Sequence, residues 1–282
     1  NGNVTNFQEL RRNYFTNKLA SNCDLEAVLY VFAQSLIQQG VGRHVEPAHI
    51  GKAVGETFRV VKGAYSVVGI IADAGMFAFR DPFGIKPMVF GQRDDARGTS
   101  FACASESVVL DVNGYKRTID IGPGEAVLVD QSRKVHRRQI GHEPHRPCIF
   151  ELIYFARPDS FIDDISVYKT RHRFGVALAQ QWRAAGAPVP DAVIPVPDSS
   201  RDAALAFALE LGVPYREGLI KNRYIGRTFI MPDQTSRNSS IRRKLNPIPI
   251  EFDGKRVVLI DDSIVRGTTS TRIVQMARDA GA

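Results

Sequence analysis

The chain has 282 residues, 44% of them apolar, and a formal charge of +7 from 37 Lys and Arg against 30 Asp and Glu. That is enough apolar material for one large core or two ordinary ones, and no internal repeat or low-complexity tract is visible. No run reaches the ~18 apolar residues of a membrane span and the start is not signal-like, so a cytoplasmic protein without a membrane partner is expected.

The basic surplus is spread along the chain and is densest beside the candidate phosphate site described below. A small anionic substrate accounts for it as well as nucleic acid does, and nucleic acid is not an expected partner. The three cysteines, Cys23, Cys103 and Cys148, are far apart and odd in number. They suggest neither a disulfide framework nor a zinc site, and read as small buried hydrophobes.

In chain order, a turn at Asn1-Gly2-Asn3 precedes helical spacing at Phe7, Leu10 and Tyr14. Asp24 reads as the cap of a helix over 25–39, which Gly40 stops, and a shorter helix covers 49–61. Strand-like runs follow at 64–72, 76–80, 88–90, 100–104 and 126–129, separated by turns such as Asp81-Pro82-Phe83-Gly84. Helices followed by antiparallel strands predict a layered α+β domain. Residues 137–147 are polar and irregular, which predicts a linker and a boundary near 140. Three histidines lie nearby, but no element fixes their geometry for a metal.

Beyond the boundary the period changes. A helix over 164–185 leads to a short buried strand at 192–197, the loop Asp198-Ser199-Ser200-Arg201, a helix over 202–211 and a strand start at Val213-Pro214-Tyr215. Alternating strand and helix predicts a parallel sheet with its ligand at the C-terminal strand ends. Residues 221–232 and 237–244 mix cations with Tyr224, Ile225 and Phe229 and read as a lid over a pyrophosphate.

The last stretch carries the chemistry. Val257 to Ile260 read as a strand buried on both faces, ending at Asp261-Asp262. Ser263 to Thr269 form a turn rich in small and hydroxyl residues, and a helix follows over 270–278. Unpaired amides in a first helical turn attract an anion, and Gly267 lets backbone approach it closely. The two acids suit sugar hydroxyls or hydrated Mg²⁺. Neither the Walker pattern nor a dinucleotide fingerprint fits. The stretch resembles the phosphoribosyltransferase signature, whose loop grips the 5′-phosphate of phosphoribosyl pyrophosphate (PRPP).

Together with Phe155-Ala156-Arg157-Pro158-Asp159-Ser160, Lys221 to Pro232 and Arg242-Arg243-Lys244-Leu245-Asn246, it resembles the glutamine PRPP amidotransferases of purine synthesis over nearly the whole chain. The resemblance implies a partial glutaminase domain of the N-terminal-nucleophile type (four layers, αββα) over 1–140. A type I phosphoribosyltransferase domain, a parallel sheet with flanking helices, would occupy 141–282. It implies Asn1 and Gly2 as an oxyanion-hole pair and Asp24 as the glutamine-binding acid. It implies Ser199, Asp261 and Asp262 as Mg²⁺ and ribose ligands, and Ser263, Arg266, Gly267, Thr268 and Thr269 as the 5′-phosphate loop. Lys221, Arg223, Arg242 and Arg243 would stabilise the leaving pyrophosphate.

Both ends read as cuts, so the nucleophile cysteine and the C-terminal end are expected to lie outside the sequence, and Cys23 is not that nucleophile. A homo-oligomer is expected of the full-length protein. Some family members carry a [4Fe-4S] cluster, near one of whose ligand positions Cys148 sits, but a cluster is not favoured. The alternatives are a PRPP-binding regulator, against which the lid motif argues, and a salvage phosphoribosyltransferase, which would need no glutaminase domain.

Overall fold

The computed structural model describes residues 1–13, 19–42, 45–222, 245–265 and 267–282. The chain divides into two units, Asn1–Glu151 with Ala156–Ser166, and Leu152–Phe155 with Val167–Ala282.

In the first unit, period-two alternation lets β3 (Gly75–Arg80) serve two cores at once. Phe77 and Phe79 face the helices α2 (Asp24–Gln38) and α3 (Pro47–Val60), whose Val28, Phe32, Ile50 and Val54 close over them. Phe32 stacks on Phe77 at 4.7 Å between ring centroids. The intervening Ala78 faces the opposite way, into a second core with Met88, Phe90, Ile121 and Val127. The central sheet runs β1 (Gly2–Val4), β2 (Gly63–Ile71), β3, β7 (Glu125–Asp130), β8 (Val135–Gln139), antiparallel throughout. The second sheet runs β5 (Gly98–Ala104), β4 (Val89–Asp95), β6 (Lys116–Asp120), and α4 (Ser107–Val112) sends the buried Leu110 onto it. Helices, sheet, sheet and one short helix therefore follow in layers.

Period and turn signals located most of these strands. The edge strands β1, β6 and β8 escaped because they are short or polar, and polar residues are common on edges. The expected linker gave way for that reason. Residues 137–139 pair with β7, and the first unit continues to Glu151, whose buried carboxylate meets Lys86 Nζ at 2.7 Å. It then resumes at Ala156, because Glu106 Oε2 accepts both Arg157 N–H (2.7 Å) and Ser160 Oγ–H (2.9 Å). The boundary expected near 140 thus moves well downstream.

The expected helix start at 164 is also corrected. Asp163 and Asp164 have φ of 49° and 60° and turn the hairpin of β9 (Phe161–Ile162) and β10 (Ile165–Ser166), so α5 begins at Val167. Asp163 is the hub of the unit's polar interior. It takes two hydrogen bonds from the fully buried Arg80, at 2.6 and 2.9 Å. The same guanidinium donates to the carbonyls of Lys86 (2.6 Å), Ile121 (3.0 Å) and Gly84 (2.7 Å). All five of its N–H groups are thereby satisfied.

The second unit is built on two parallel strands, β11 (Ala192–Pro195) and β14 (Val257–Ile260), with Pro195 opposite Ile260. One face packs on α5 (Val167–Ala184) and α6 (Arg201–Leu211) through Val193, Ile260, Ala179 and Phe207. The other packs on α7 (Thr268–Asp279) through Ile194, Ile273 and Ala277. At Gly175 the two helices approach so closely that a Cβ would lie 2.1 Å from the Ala203 carbonyl oxygen. The strand expected from Val213 is reduced to a single parallel bridge between Val193 and Tyr215. A hairpin of β12 (Leu219–Lys221) and β13 (Leu245–Pro247) completes the described part. No helix among the described residues is long and apolar enough to cross a membrane.

Candidate functional site

Because β11 and β14 are parallel and in register, both chains leave the sheet at the same edge. The loop after β11 carries Asp198 and Ser199, reached through a cis peptide between Pro197 and Asp198. The loop after β14 carries Asp261 and Asp262. The Asp262 carboxylate joins the two loops, accepting Ser199 Oγ–H on Oδ2 and Ser263 Oγ–H on Oδ1 at 2.7 Å. Asp261 Oδ1 accepts the Asp262 N–H at 2.9 Å. Ser199, Asp261, Asp262 and Ser263 are thereby brought together at one strand edge.

Gly267, at φ 73°, sits in the left-handed region just before α7, which only glycine enters without strain. The helix begins at Thr268 rather than at residue 270, so Thr268 and Thr269 lie in its first turn, where the backbone amides are free of intrahelical partners. Arg266, Arg223, Arg242, Arg243 and the expected lid from residue 223 onward lie outside the described residues.

Partial removal from water, reinforced by the like charge of Asp262, pushes the Asp261 carboxyl up to about 6, against the pull of the Asp262 N–H. Asp261 still meets solvent, which screens part of this effect, so the direction of the shift sets the expectation. A carboxyl raised in the folded state holds its proton after the unfolded chain has lost its own. Folding is therefore unpenalised below the ordinary carboxyl range and carries the full penalty above about pH 6. Asp261→Asn removes the charge, and metal-free protein is expected to melt about 1–2 °C higher than the parent at pH 7.5, the gap closing towards pH 4. Melting curves at the two pH values check this, and a variant that melts lower at pH 7.5 contradicts it.

No Lys or Arg among the described residues pairs with Asp261 or Asp262. The neighbouring acid is differently placed. Asp198 binds Lys221 Nζ at 2.7 Å and lies 3.6 Å from Arg201, whose other nitrogen lies 3.3 Å from Glu217. Sequence reasoning gave roles to Lys221 and Ser199 and placed the loop from Asp198 to Arg201 nearby, but gave Asp198 and Arg201 no role of their own. Their signal was an acid and a cation flanking two serines directly after a buried strand.

In the first unit, Gly2 opens β1 against β2 and Asn1 directly precedes it, with Ser66 N–H donating to the Asn1 carbonyl at 2.8 Å. Gly2 has φ 146°, and a Cβ there would fall 2.2 Å from the Ala64 carbonyl oxygen, so no larger residue fits. Asp24 is the first residue of α2 and not its cap, which is Cys23. Its carboxylate instead accepts the Val4 N–H at 2.8 Å, placing it beside the strand that carries Gly2. Burial pushes the Cys103 thiol up to about 12, which leaves it an inert core group. No group of three or more His, Cys, Asp and Glu suited to a metal occurs among the described residues.

The glutamine amidotransferase domain family matches residues 1–111. Along its whole length the chain is 48% identical to the amidophosphoribosyltransferase of Escherichia coli and 44% identical to that of Saccharomyces cerevisiae, and it covers 57% of each of those proteins. Its fold is similar to that of a Bacillus subtilis glutamine PRPP amidotransferase solved with ADP and GMP, at a TM-score of 0.81 and 36% identity. That match covers the whole of this chain and 58% of the solved one.

Proposed function

We infer that this chain, similar from end to end to the amidophosphoribosyltransferases while spanning 57% of their length, carries the nitrogen-transferring chemistry of such an enzyme. The reaction proposed is PRPP plus glutamine and water to 5-phosphoribosylamine, pyrophosphate and glutamate. The observation that carries the reading is the Asp262 carboxylate, held by Ser199 from one parallel strand end and by Ser263 from the other.

In this reading the second unit is the phosphoribosyltransferase part. Gly267, Thr268 and Thr269 would grip the 5′-phosphate with first-turn amides and hydroxyls, together with Ser263 and Arg266. Asp261 and Asp262 would position the ribose. The bond at the anomeric carbon breaks with oxocarbenium character, so the main task is to stabilise the charge gathering on pyrophosphate, suited to Lys221 with Arg223, Arg242 and Arg243. The hard-oxygen set of Ser199, Asp261 and Asp262, two acids with no protein cation beside them among the described residues, fits Mg²⁺. That ion would supply further charge neutralisation when bound.

The layered first unit, with Asn1, Gly2 and Asp24 on neighbouring elements, would supply the glutamine side: an oxyanion-hole pair and a carboxylate for the α-amino group. The four-layer αββα architecture is proposed for it on the order of its helices and two sheets. A cytoplasmic homo-oligomer is the proposed state of the whole enzyme.

The test is pyrophosphate release from Mg-PRPP with ammonium chloride as the nitrogen donor, so that the readout depends on the second unit. Release that requires both ammonia and Mg²⁺ is expected. A folded chain that releases none counts against the transferase reading.

A further inference from the structure

Four charged side chains alternate in sign across the β11 edge: Glu217, Arg201, Asp198 and Lys221. The separations are 3.3 Å from Glu217 to Arg201, 3.6 Å from Arg201 to Asp198, and 2.7 Å from Asp198 to Lys221. All four side chains are between 40% and 55% exposed, so an incoming anion can reach them. Glu217 is in turn fixed by the Tyr215 hydroxyl, which donates to it at 2.6 Å. The Arg201 guanidinium is the misfit. Its Nε is buried without a hydrogen-bond partner among the described residues, and its nearest Asp198 oxygen lies beyond hydrogen-bonding distance. Each cation here is shared with an acid, and one is under-satisfied.

We propose that Asp198 is a built-in counter-anion that occupies Lys221 and Arg201 until the pyrophosphate group of the substrate displaces it. The proposal rests on the reading of this edge as the PRPP site and adds Arg201 to the groups that meet the leaving group. Magnitudes favour a displaceable contact. Half-exposed ion pairs are weak, so the pairing holds the cations in place without locking them. A pyrophosphate carries several charges and many acceptor oxygens, and it can satisfy the Arg201 fork as the single Asp198 carboxylate at 3.6 Å does not. The competition makes the site discriminate by charge. A singly charged anion gains little over Asp198, whereas a polyanion gains enough to replace it.

The test is calorimetric titration of inorganic pyrophosphate into the 282-residue chain at low ionic strength and fixed Mg²⁺, for the parent, Asp198→Asn, Lys221→Met and the double variant. Asp198→Asn is expected to tighten binding by about three- to fivefold, the span set by a weak half-exposed pair. The gain is expected to shrink in the Lys221→Met background, where only the weaker Arg201 contact at 3.6 Å is left to release, and a merely structural role for Asp198 does not predict this. Equal or weaker binding by Asp198→Asn, or a gain undiminished without Lys221, overturns the proposal. If the parent binds pyrophosphate and Asp198→Asn shows no gain, only the counter-anion falls. If the folded parent binds none, the site reading fails and the counter-anion fails with it. Should Asp198→Asn not fold by circular dichroism, Asp198→Ser carries the same comparison.

Discussion

Replacing Arg80 with methionine is expected to destabilise the first unit by about 3–5 kcal/mol, the range seen when one partner of a buried ion pair is removed. The methionine keeps the apolar stem but none of the five donors. The carbonyls of Gly84, Lys86 and Ile121 then lose partners, and the Asp163 carboxylate loses the two hydrogen bonds that hold the β9–β10 turn. A loss of this size is a large share of the roughly 5–15 kcal/mol available to a whole domain, so the variant should unfold at a markedly lower urea concentration than the parent. Urea titration followed by hydrogen exchange of the β3 amides reads the first unit specifically, since that strand carries Phe77 and Phe79 into its core. A shift equivalent to less than about 1 kcal/mol refutes the account, because it falls within the worth of one ordinary neutral hydrogen bond.

The second large effect is on chemistry rather than stability. In Asp261→Asn/Asp262→Asn, pyrophosphate release from Mg-PRPP with ammonia is expected to fall by at least about a hundredfold. Changes to groups that only orient a metal ligand already cost about 10–100-fold. The fold should survive, because an asparagine at 262 keeps one oxygen to accept from Ser199 or Ser263, and the substitution at 261 relieves crowded charge. Near-UV circular dichroism and the melting temperature establish that the protein is folded before the rate is read. Parental release by the folded double variant would remove the metal and ribose role from both acids.

Where the residue pattern and the local physics agree, the sequence was readable. Val257 to Ile260 form the expected strand before the two acids, although only Ile260 is buried and the other three are half-buried, and the loop glycine at 267 takes the left-handed conformation that favours glycine. On α2 the helical spacing placed Val28 and Phe32 in the core, but Leu25 and Leu29, read as part of the same face, are exposed, and Ala27 and Val31 are buried instead. Apart from the short or polar edge strands, the misses share one cause, interactions that only the folded chain brings together. Arg157 to Ser160 look like the opening of the second domain until Glu106, more than fifty residues earlier, is seen holding them in the first. Asp163 and Asp164 look like the acidic start of a helix until Arg80 and Arg117 are seen drawing them into a left-handed turn, with Arg117 meeting Asp164 at 2.5 Å. At the site, Ser199 carried a motif, whereas Asp198 and Arg201 showed their pairing only once the strand end had brought Lys221 and Glu217 alongside.

The bond between Arg80 and Asp163 spans 83 residues of chain. On a ribosome that emits roughly 5–20 residues per second, the buried guanidinium waits several seconds for its partner after Arg80 itself has emerged. The central strand can pair with β2 as soon as both exist, but its charge stays hydrated until the β9–β10 turn arrives. The nascent first unit is therefore completed only by residues made after Leu152–Phe155, a stretch that belongs to its neighbour. Translation thus commits to the second unit before the first can finish folding, and a ribosome stalled short of Asp163 would release a first unit whose core arginine has no counter-charge.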